Sequence, residues 1–397
     1  MSKKITVAVS VALVLIVAAI GIFFYSSKKI TVAFYNIGEK QKREITATIE
    51  KTLQKKNFTI NTIEFKPSVP LSEQITRKNM PDILFTLSGY SVQESVEIAK
   101  LNLISPKITS GMTSSMRTAI IQKNGKSAAL PILSSHFELD IDLQEFQNSE
   151  TKQVNTWSDV EKFMREQKRR KEFPLVFAGG NPDFLLTLLG ALAESIDGID
   201  SYTAAVKILK EEESPAKAAE KLCDEPDSPL ATSIRQLKSW YKQGFIHPGV
   251  FSFQQNDTEA FASNKLSSVM ILSLEDHRNT PQETISRYTS VFFPSTIVSS
   301  LRAFTGNTYY AVPTKNSYKT KNFLKELVST ETQESLSRAT GLAPVLNQCR
   351  TPDKQADDAR YWITATTAPL AGLSQEVSLS KETKKLLAAE IAARIKQ

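Results

Sequence analysis

Between Lys29 and Ala99 the hydrophobic period of the sequence switches repeatedly, and this alternation restricts the fold more than any other feature. Lys29-Ile-Thr-Val-Ala-Phe-Tyr35 is a β-branched and aromatic run broken by Asn36-Ile37-Gly38, which predicts a strand and a turn. Ile45, Ile49 and Leu53 then recur every four residues among Lys and Glu, the spacing of an amphipathic helix. Phe58 to Phe65 alternates apolar and polar residues, and Asp82-Ile-Leu-Phe-Thr86 reads as a third strand. A helix carrying Val92, Val96 and Ala99 follows the turn Ser88-Gly89-Tyr90. Strands alternating with helices predict an α/β fold, a parallel sheet covered on its faces. In such sheets ligands bind beyond the carboxyl ends of the strands, so topology alone makes Asn36 and Ser88 to Tyr90 cleft candidates. The competing reading is ordinary turn residues.

Further along, Ala129 to Asp142 is a long extended stretch that reads as a crossing between two lobes. Asn124-Gly125 marks a hairpin turn between Ala119–Gln122 and Ala128–Leu130. Thr156 is a helix cap with Asp159 three residues on, and Trp157, Val160 and Phe163 form the inner face. Pro174–Phe177 is a short strand, and Gly179-Gly180-Asn181 turns into a helix begun by Pro182. Leu185, Leu188, Leu189 and Leu192 are that helix's core stripe. Leu230, Ile234, Leu237 and Tyr241 form another, stopped by Gly244 in a left-handed cap. A strand at Ser267–Ser273, a helix at Ser317–Val328 and a last helix from about Lys381 complete the pattern, the loop Cys223–Pro229 being a connector within a domain.

With 397 residues, 41% hydrophobic and 23% charged, the chain suits two lobes or domains, each with its own core. Two cysteines and three histidines (His136, His247, His277) exclude a disulfide scaffold and offer no familiar metal spacing. Cys223 and Cys349 either pair or sit buried as small hydrophobes. The net charge of +7 is dispersed. Its densest run, Lys168-Arg169-Arg170-Lys171, ends a helix without aromatic interleaving, which argues against nucleic acid. Ile5 to Tyr25 is an uncharged run of 21 residues bracketed by lysines. At helical rise it spans roughly 30 Å, the thickness of a bilayer core. An uncleaved signal anchor is the preferred reading and a cleaved signal peptide the rival, since the apolar core exceeds the usual length of about 7–15 residues.

The catalytic search is negative. No phosphate loop, nucleophile elbow or zinc-protease helix occurs. Asn124-Gly125-Lys126-Ser127 lacks the first glycine a phosphate loop requires. Glu275, Asp276 and His277 cluster after a strand, with solvent exposure the preferred place for His277. The chain reads as a binding protein and not an enzyme.

The order of pieces resembles the extracellular solute-binding proteins of ABC importers, in the cluster that includes maltose-binding protein. Pro81-Asp82-Ile83-Leu84-Phe85 resembles the family's third strand, and Ala129-Leu-Pro-Ile-Leu-Ser-Ser-His-Phe-Glu-Leu139 its crossover. Asn155-Thr-Trp-Ser-Asp-Val160, Trp240 to Pro248, Phe261 to Ile271, Gly306 to Val312 and Gly341-Leu-Ala-Pro344 are similar to later segments. Two departures stand out. Leu274-Glu275-Asp276 replaces an aromatic that stacks on sugar rings in many members, and Leu139-Asp140-Ile141 replaces a "Y-Y-N" crossover.

The resemblance implies a two-lobed periplasmic-binding-protein fold of the Venus-flytrap type, preceded by one transmembrane helix. It gives residues 1–28 to the anchor, 29–133 and 300–346 to lobe 1, and 134–299 and 347–397 to the crossover and lobe 2. Crossing segments fall near 130–138 and 291–305. The implied ligand-binding residues are Asn36, Ser88, Tyr90, His136, Asp183, Glu275 and Asn307, with Tyr90 stacking on a ligand face. Trp157 and Trp240 are core residues, and Trp362 is undecided between core and cleft. The implied partners are a small solute (a carbohydrate), ABC permease subunits and the membrane, with no cofactor or metal. A monomer is expected on the outer face of a bacterial inner membrane, in a single pass. The alternative is a membrane-anchored relative that has lost transport and acts as a sensor or protein-interaction module.

Overall fold

The computed structural model describes residues 28–66, 69–99, 104–123, 126–296, 302–351 and 354–397. The apolar run 5–25 and the turn at 124–125 lie outside the described residues, as do residues 297–301 of the second expected crossing. Among the described residues no helix is long and apolar enough to cross a membrane.

The first half of the chain runs β1 (Lys28–Phe34), α1 (Glu39–Gln54), β2 (Phe58–Ile63), β3 (Ile83–Leu87), α2 (Tyr90–Ala99), β4 (Ile121–Lys123) and β5 (Lys126–Ser134). It continues through β6 (Phe137–Asp142), α3 (Trp157–Gln167), β7 (Leu175–Val176), α4 (Pro182–Asp197), α5 (Ala231–Lys242) and β8 (Val269–Ser273). After these come α6 (Leu274–Asn279), β9 (Tyr288–Phe292), β10 (Phe304–Thr305), β11 (Thr308–Pro313), α7 (Tyr318–Leu327) and β12 (Ala343–Pro344). The chain closes with α8 (Lys354–Ala365), β13 (Pro369–Leu370), α9 (Leu373–Glu376) and α10 (Lys381–Lys396).

Two sheets carry the two lobes. The first has the order β12-β5-β11-β3-β1-β2, with β4 paired to β5, and the second the order β7-β8-β6-β9. Only β2-β1-β3 is paired in parallel in the first sheet; β11 lies antiparallel between β3 and β5, which point the same way. The expected all-parallel sheet is thus mixed. The cause is topological: β5 carries the chain out of this lobe in the direction of the βα units, and β11 brings it back between β3 and β5, so β11 runs against them. Ser135 and His136 are the only residues between β5 and β6, which fixes one crossing, and β10 pairs with β13 beside the return.

The first sheet is covered on both faces. Ile45, Ile49 and Leu53 of α1 are fully buried with Phe323, Leu324 and Leu327 of α7 on one face. Val92 and Val96 of α2 cover the other. Burying each such aliphatic side chain contributes about 1.5–3 kcal/mol. Asp82 anchors the amino end of β3, where its Oδ2 accepts from the Thr31 N–H at 2.8 Å and from Lys319 Nζ at 2.9 Å. That aspartate is therefore structural and lies at the end of β3 away from the ligand-binding edge.

In the second lobe Thr156 and Asp159 form the expected capping box of α3, and Gly244 takes φ +66° beyond α5. Trp157 and Trp240 lie deep in the core, ring centroids 5.2 Å apart. Helix α4 is buried from Phe184 to Ile196 on every side, beyond the stripe its leucines predict. Its turns carry apolar residues on every side, with Thr187, Glu194 and Ser195 buried among them, and a Cβ on Gly190 would come within 2.9 Å of Leu373, so the surrounding elements close tightly on it. The last segment divides between the cores: α8 packs Ala359 and Ile363 into the first, and α10 packs Leu387, Ile391 and Ile395 into the second.

Candidate binding cleft between the lobes

A cavity of about 750 Å³ lies between the two sheets. One wall is the β1–α1 turn with the start of α2, and the other is the start of α4 with the stretch from α9 into α10. Helices α1, α2, α4, α9 and α10 begin at this cavity, at residues Glu39, Tyr90, Pro182, Leu373 and Lys381. The first turn of a helix presents backbone N–H groups without intrahelical partners and a positive dipole end. Asn181 and Ser380 take up some of these N–H groups as side-chain caps of α4 and α10, and helix starts of this kind suit oxygen ligands.

Each wall residue is placed by local sequence. Asn36 turns the chain out of β1 at φ +57°, a left-handed conformation that asparagine tolerates. Its Nδ2 donates to Ser91 Oγ at 2.8 Å, which ties the turn to α2. Tyr35 donates its hydroxyl to Glu94 at 2.8 Å; burial first, and that carboxylate second, hold its pKa well above the tyrosine range. Ser88 is held where β3 ends, its Oγ accepting from the Thr308 N–H at 3.2 Å. Tyr90 is half-buried and lines the cavity. Across the gap Asp183 follows the N-cap Asn181 of α4 and pairs with Lys384 Nζ at 2.7 Å. Size, two tyrosines on one wall and many polar groups make this a site for a small polar molecule.

The lobes touch at the inner end of this cavity. Gly89 has φ +81°, and a Cβ there would fall 2.2 Å from the Gln375 carbonyl oxygen. A side chain at this position is excluded both by conformation and by the opposite lobe.

Four of the seven residues expected in the cleft, Asn36, Ser88, Tyr90 and Asp183, line the cavity together. The structure does not bring His136, Glu275 or Asn307 to its wall. Glu275 and Asn307 form a bridge between the lobes instead. Asn307 Nδ2 donates to Glu275 at 3.1 Å, the Tyr309 hydroxyl also donates to Glu275, and Gln375 Nε2 donates to Asn307. Burial pushes the Glu275 carboxyl up to about 7; the bond from Tyr309 opposes this, and the neighbouring Asp276 charge reinforces it. His136 is 1% exposed, edge-on to Trp362 with centroids 5.2 Å apart, and burial lowers its pKa. Trp362 packs there and on Phe292.

His277 is not in solvent, as its neighbours had suggested. It is buried against Glu138 and Asp140, whose side chains share one face of β6. Asp276 is the N3 residue of a capping box with Ser273. Leu274, which replaces the expected aromatic, packs into the first core. Sequence reasoning missed Tyr35, Glu39, Ser374, Gln375, Lys381 and Lys384. Tyr35 follows the carboxyl end of β1, so the rule that selected Asn36 also selects it. The stretch from Gly372 to Lys381 has no hydrophobic period that would have marked it.

No protein-family model matches the sequence, and no curated protein matches it either. Solved structures match over nearly the whole chain. The bacterial solute receptor AcbH, described as having an exclusive preference for β-D-galactopyranose, superimposes with a TM-score of 0.70 at 13% identity, covering 92% of this chain and 98% of that one. A putative binding protein MsmE from Bacillus subtilis, in an open conformation, gives 0.65 at 14% identity, with 93% and 94% covered. RafE from Streptococcus pneumoniae in its apo form gives 0.61 at 11% identity, with 94% and 97% covered. The chain has the fold of the two-lobed, sugar-binding solute receptors.

Proposed function

We propose that the chain is the solute-binding component of an ABC-type importer that captures a small carbohydrate in the inter-lobe cavity. The observation that supports this most is a cavity of about 750 Å³ walled by both lobes, a volume within the range of small-molecule sites. A ligand held by Tyr90, Asn36 and Ser88 on one side and Asp183 on the other gains its full contacts only when the lobes close, so its binding energy drives closure. The closed lobes then present a surface to a permease. Residues 5–25 hold the receptor at the outer face of the membrane, and with only Ser26 and Ser27 before β1 the tether is too short for free diffusion.

Thermal unfolding of the full chain in detergent against a panel of mono- and oligosaccharides tests this. A ligand at 100 times its Kd adds about 2.7 kcal/mol, a rise of a few degrees in Tm. A saccharide that raises Tm in the wild type and not in Tyr90→Ala is the expected result. A panel without any stabiliser contradicts it and favours the reading of a receptor that has lost transport, to which the replacement of the stacking aromatic by Leu274 also points.

A further inference from the structure

A second cluster lies at the base of the crossing, away from the cavity. His136, Glu138 and Asp140 alternate along one extended segment, so the strand period of two puts all three on one face. Helix α6 brings His277 over them. Its Nδ1 lies 2.8 Å from Glu138 Oε1 and 2.9 Å from Asp140 Oδ2, and His136 Nε2 lies 3.5 Å from Glu138 Oε2. Exposure is 0% for Glu138 and Asp140, 1% for His136 and 7% for His277. Glu138, Asp140 and His277 offer donor atoms all within 4.8 Å of one another; His136 stands outside that group of three, beside Glu138.

The protein does not use these donors up. Gln355 Nε2 donates to the two oxygens of Glu138 at 3.0 and 3.3 Å, and Ser290 Oγ lies 3.5 Å from His277 Nδ1. Yet His136 Nε2 and Asp140 Oδ1 are buried with no hydrogen-bond partner. His136 Nδ1 faces the Phe137 carbonyl at 3.2 Å, an acceptor, so Nδ1 carries the proton and Nε2 presents a lone pair. A lone pair directed at a buried carboxylate with no proton between them is repulsive unless a cation sits there. His277 brings one proton for two carboxylates, and Arg278 adds its field at Glu138.

We propose that His136 Nε2, Glu138, Asp140 and His277 Nδ1 bind one divalent transition-metal ion of the zinc class. Two imidazoles and two carboxylates form a tetrahedral zinc donor set, whereas calcium and magnesium favour all-oxygen sites. Zinc bonds of about 2.0–2.2 Å place donors about 3.4 Å apart. The two contacts of His277 would open by roughly half an ångström, His136 Nε2 would move inward to join the other three donors, and the His277 Nδ1 proton would leave to solvent. The ion would pin β6, the first strand beyond the crossing, to α6.

The test uses the full chain in detergent, stripped with a chelator, dialysed and titrated with Co²⁺. One equivalent producing the intense visible absorption of tetrahedral cobalt, displaced by one equivalent of Zn²⁺, is the expected result. His136→Gln and Asp140→Asn should each weaken zinc binding at least tenfold, while His247→Gln, outside the cluster, leaves it unchanged. Circular dichroism confirms that each variant is folded. Should Asp140→Asn fail to fold, the wild-type cobalt spectrum and His136→Gln still decide. Absence of the cobalt band together with no retained zinc overturns the proposal, as does zinc affinity undiminished in folded His136→Gln.

Discussion

Tyr90 and the cysteines make the clearest residue-scale tests. Tyr90 offers the cavity a half-buried aromatic face, and aromatic contacts of this kind contribute about 0.5–1.5 kcal/mol beyond area burial. Tyr90→Ala should therefore weaken solute binding about tenfold in calorimetric titration with little change in stability. Cys223 and Cys349 are unpaired and buried, and burial pushes their thiols up to about 12 and about 11. Thiolate is the reactive form. Labelling by a maleimide at pH 7 should accordingly be slow in the native chain and fast after unfolding, its native rate rising steadily with pH. Rapid labelling of both thiols at pH 7 without unfolding would contradict the burial. Of the candidate site, the residues legible in advance were those that topology places at a strand's carboxyl end, Asn36, Ser88 and Tyr90. The opposite wall is built mainly from residues near the chain's end, where no period or motif signals a ligand, and Asp183 alone was singled out there.

At the scale of elements, α4 organises the second lobe and is joined to the returning chain by one buried ion pair. Arg302 clasps Glu194 with contacts of 2.8 and 3.0 Å, and the Ala303 N–H donates to the same carboxylate at 3.0 Å. Removing one partner of a buried pair leaves the other charge uncompensated, at a cost of about 3–5 kcal/mol. Glu194→Ala should lower the urea midpoint accordingly, far more than Thr156→Ala, where loss of the α3 cap costs about 1 kcal/mol. Equal midpoints for the two variants would show that the clasp contributes little. Secondary structure was largely legible here, because capping boxes and apolar stripes are local signals. Strand direction was not: Ala129 to Asp142 reads as extended from composition, but the antiparallel place of β11 depends on the chain returning from the other lobe. The complete burial of α4 was likewise invisible to a stripe of four leucines.

For the whole molecule, the bridge Tyr309–Glu275–Asn307–Gln375 and the contact of Gly89 with Gln375 hold the lobes in register. Gly89→Val places a branched side chain where the opposite backbone passes. It should prop the lobes apart, seen as a larger radius of gyration in small-angle scattering; an unchanged radius would mean that the contact does not set lobe separation. The two-lobed fold was legible only as a chain of weak resemblances in the right order, since at 9–14% identity the matching structures share shape and little sequence. The account's central claim is that this shape grips a small carbohydrate between its halves. Native mass spectrometry of the full chain purified from its own host tests it most directly. The wild type should carry an adduct of carbohydrate composition that is lost in the double variant Tyr90→Ala, Asp183→Ala. A wild type without any adduct, or an adduct that persists in the variant, would contradict it.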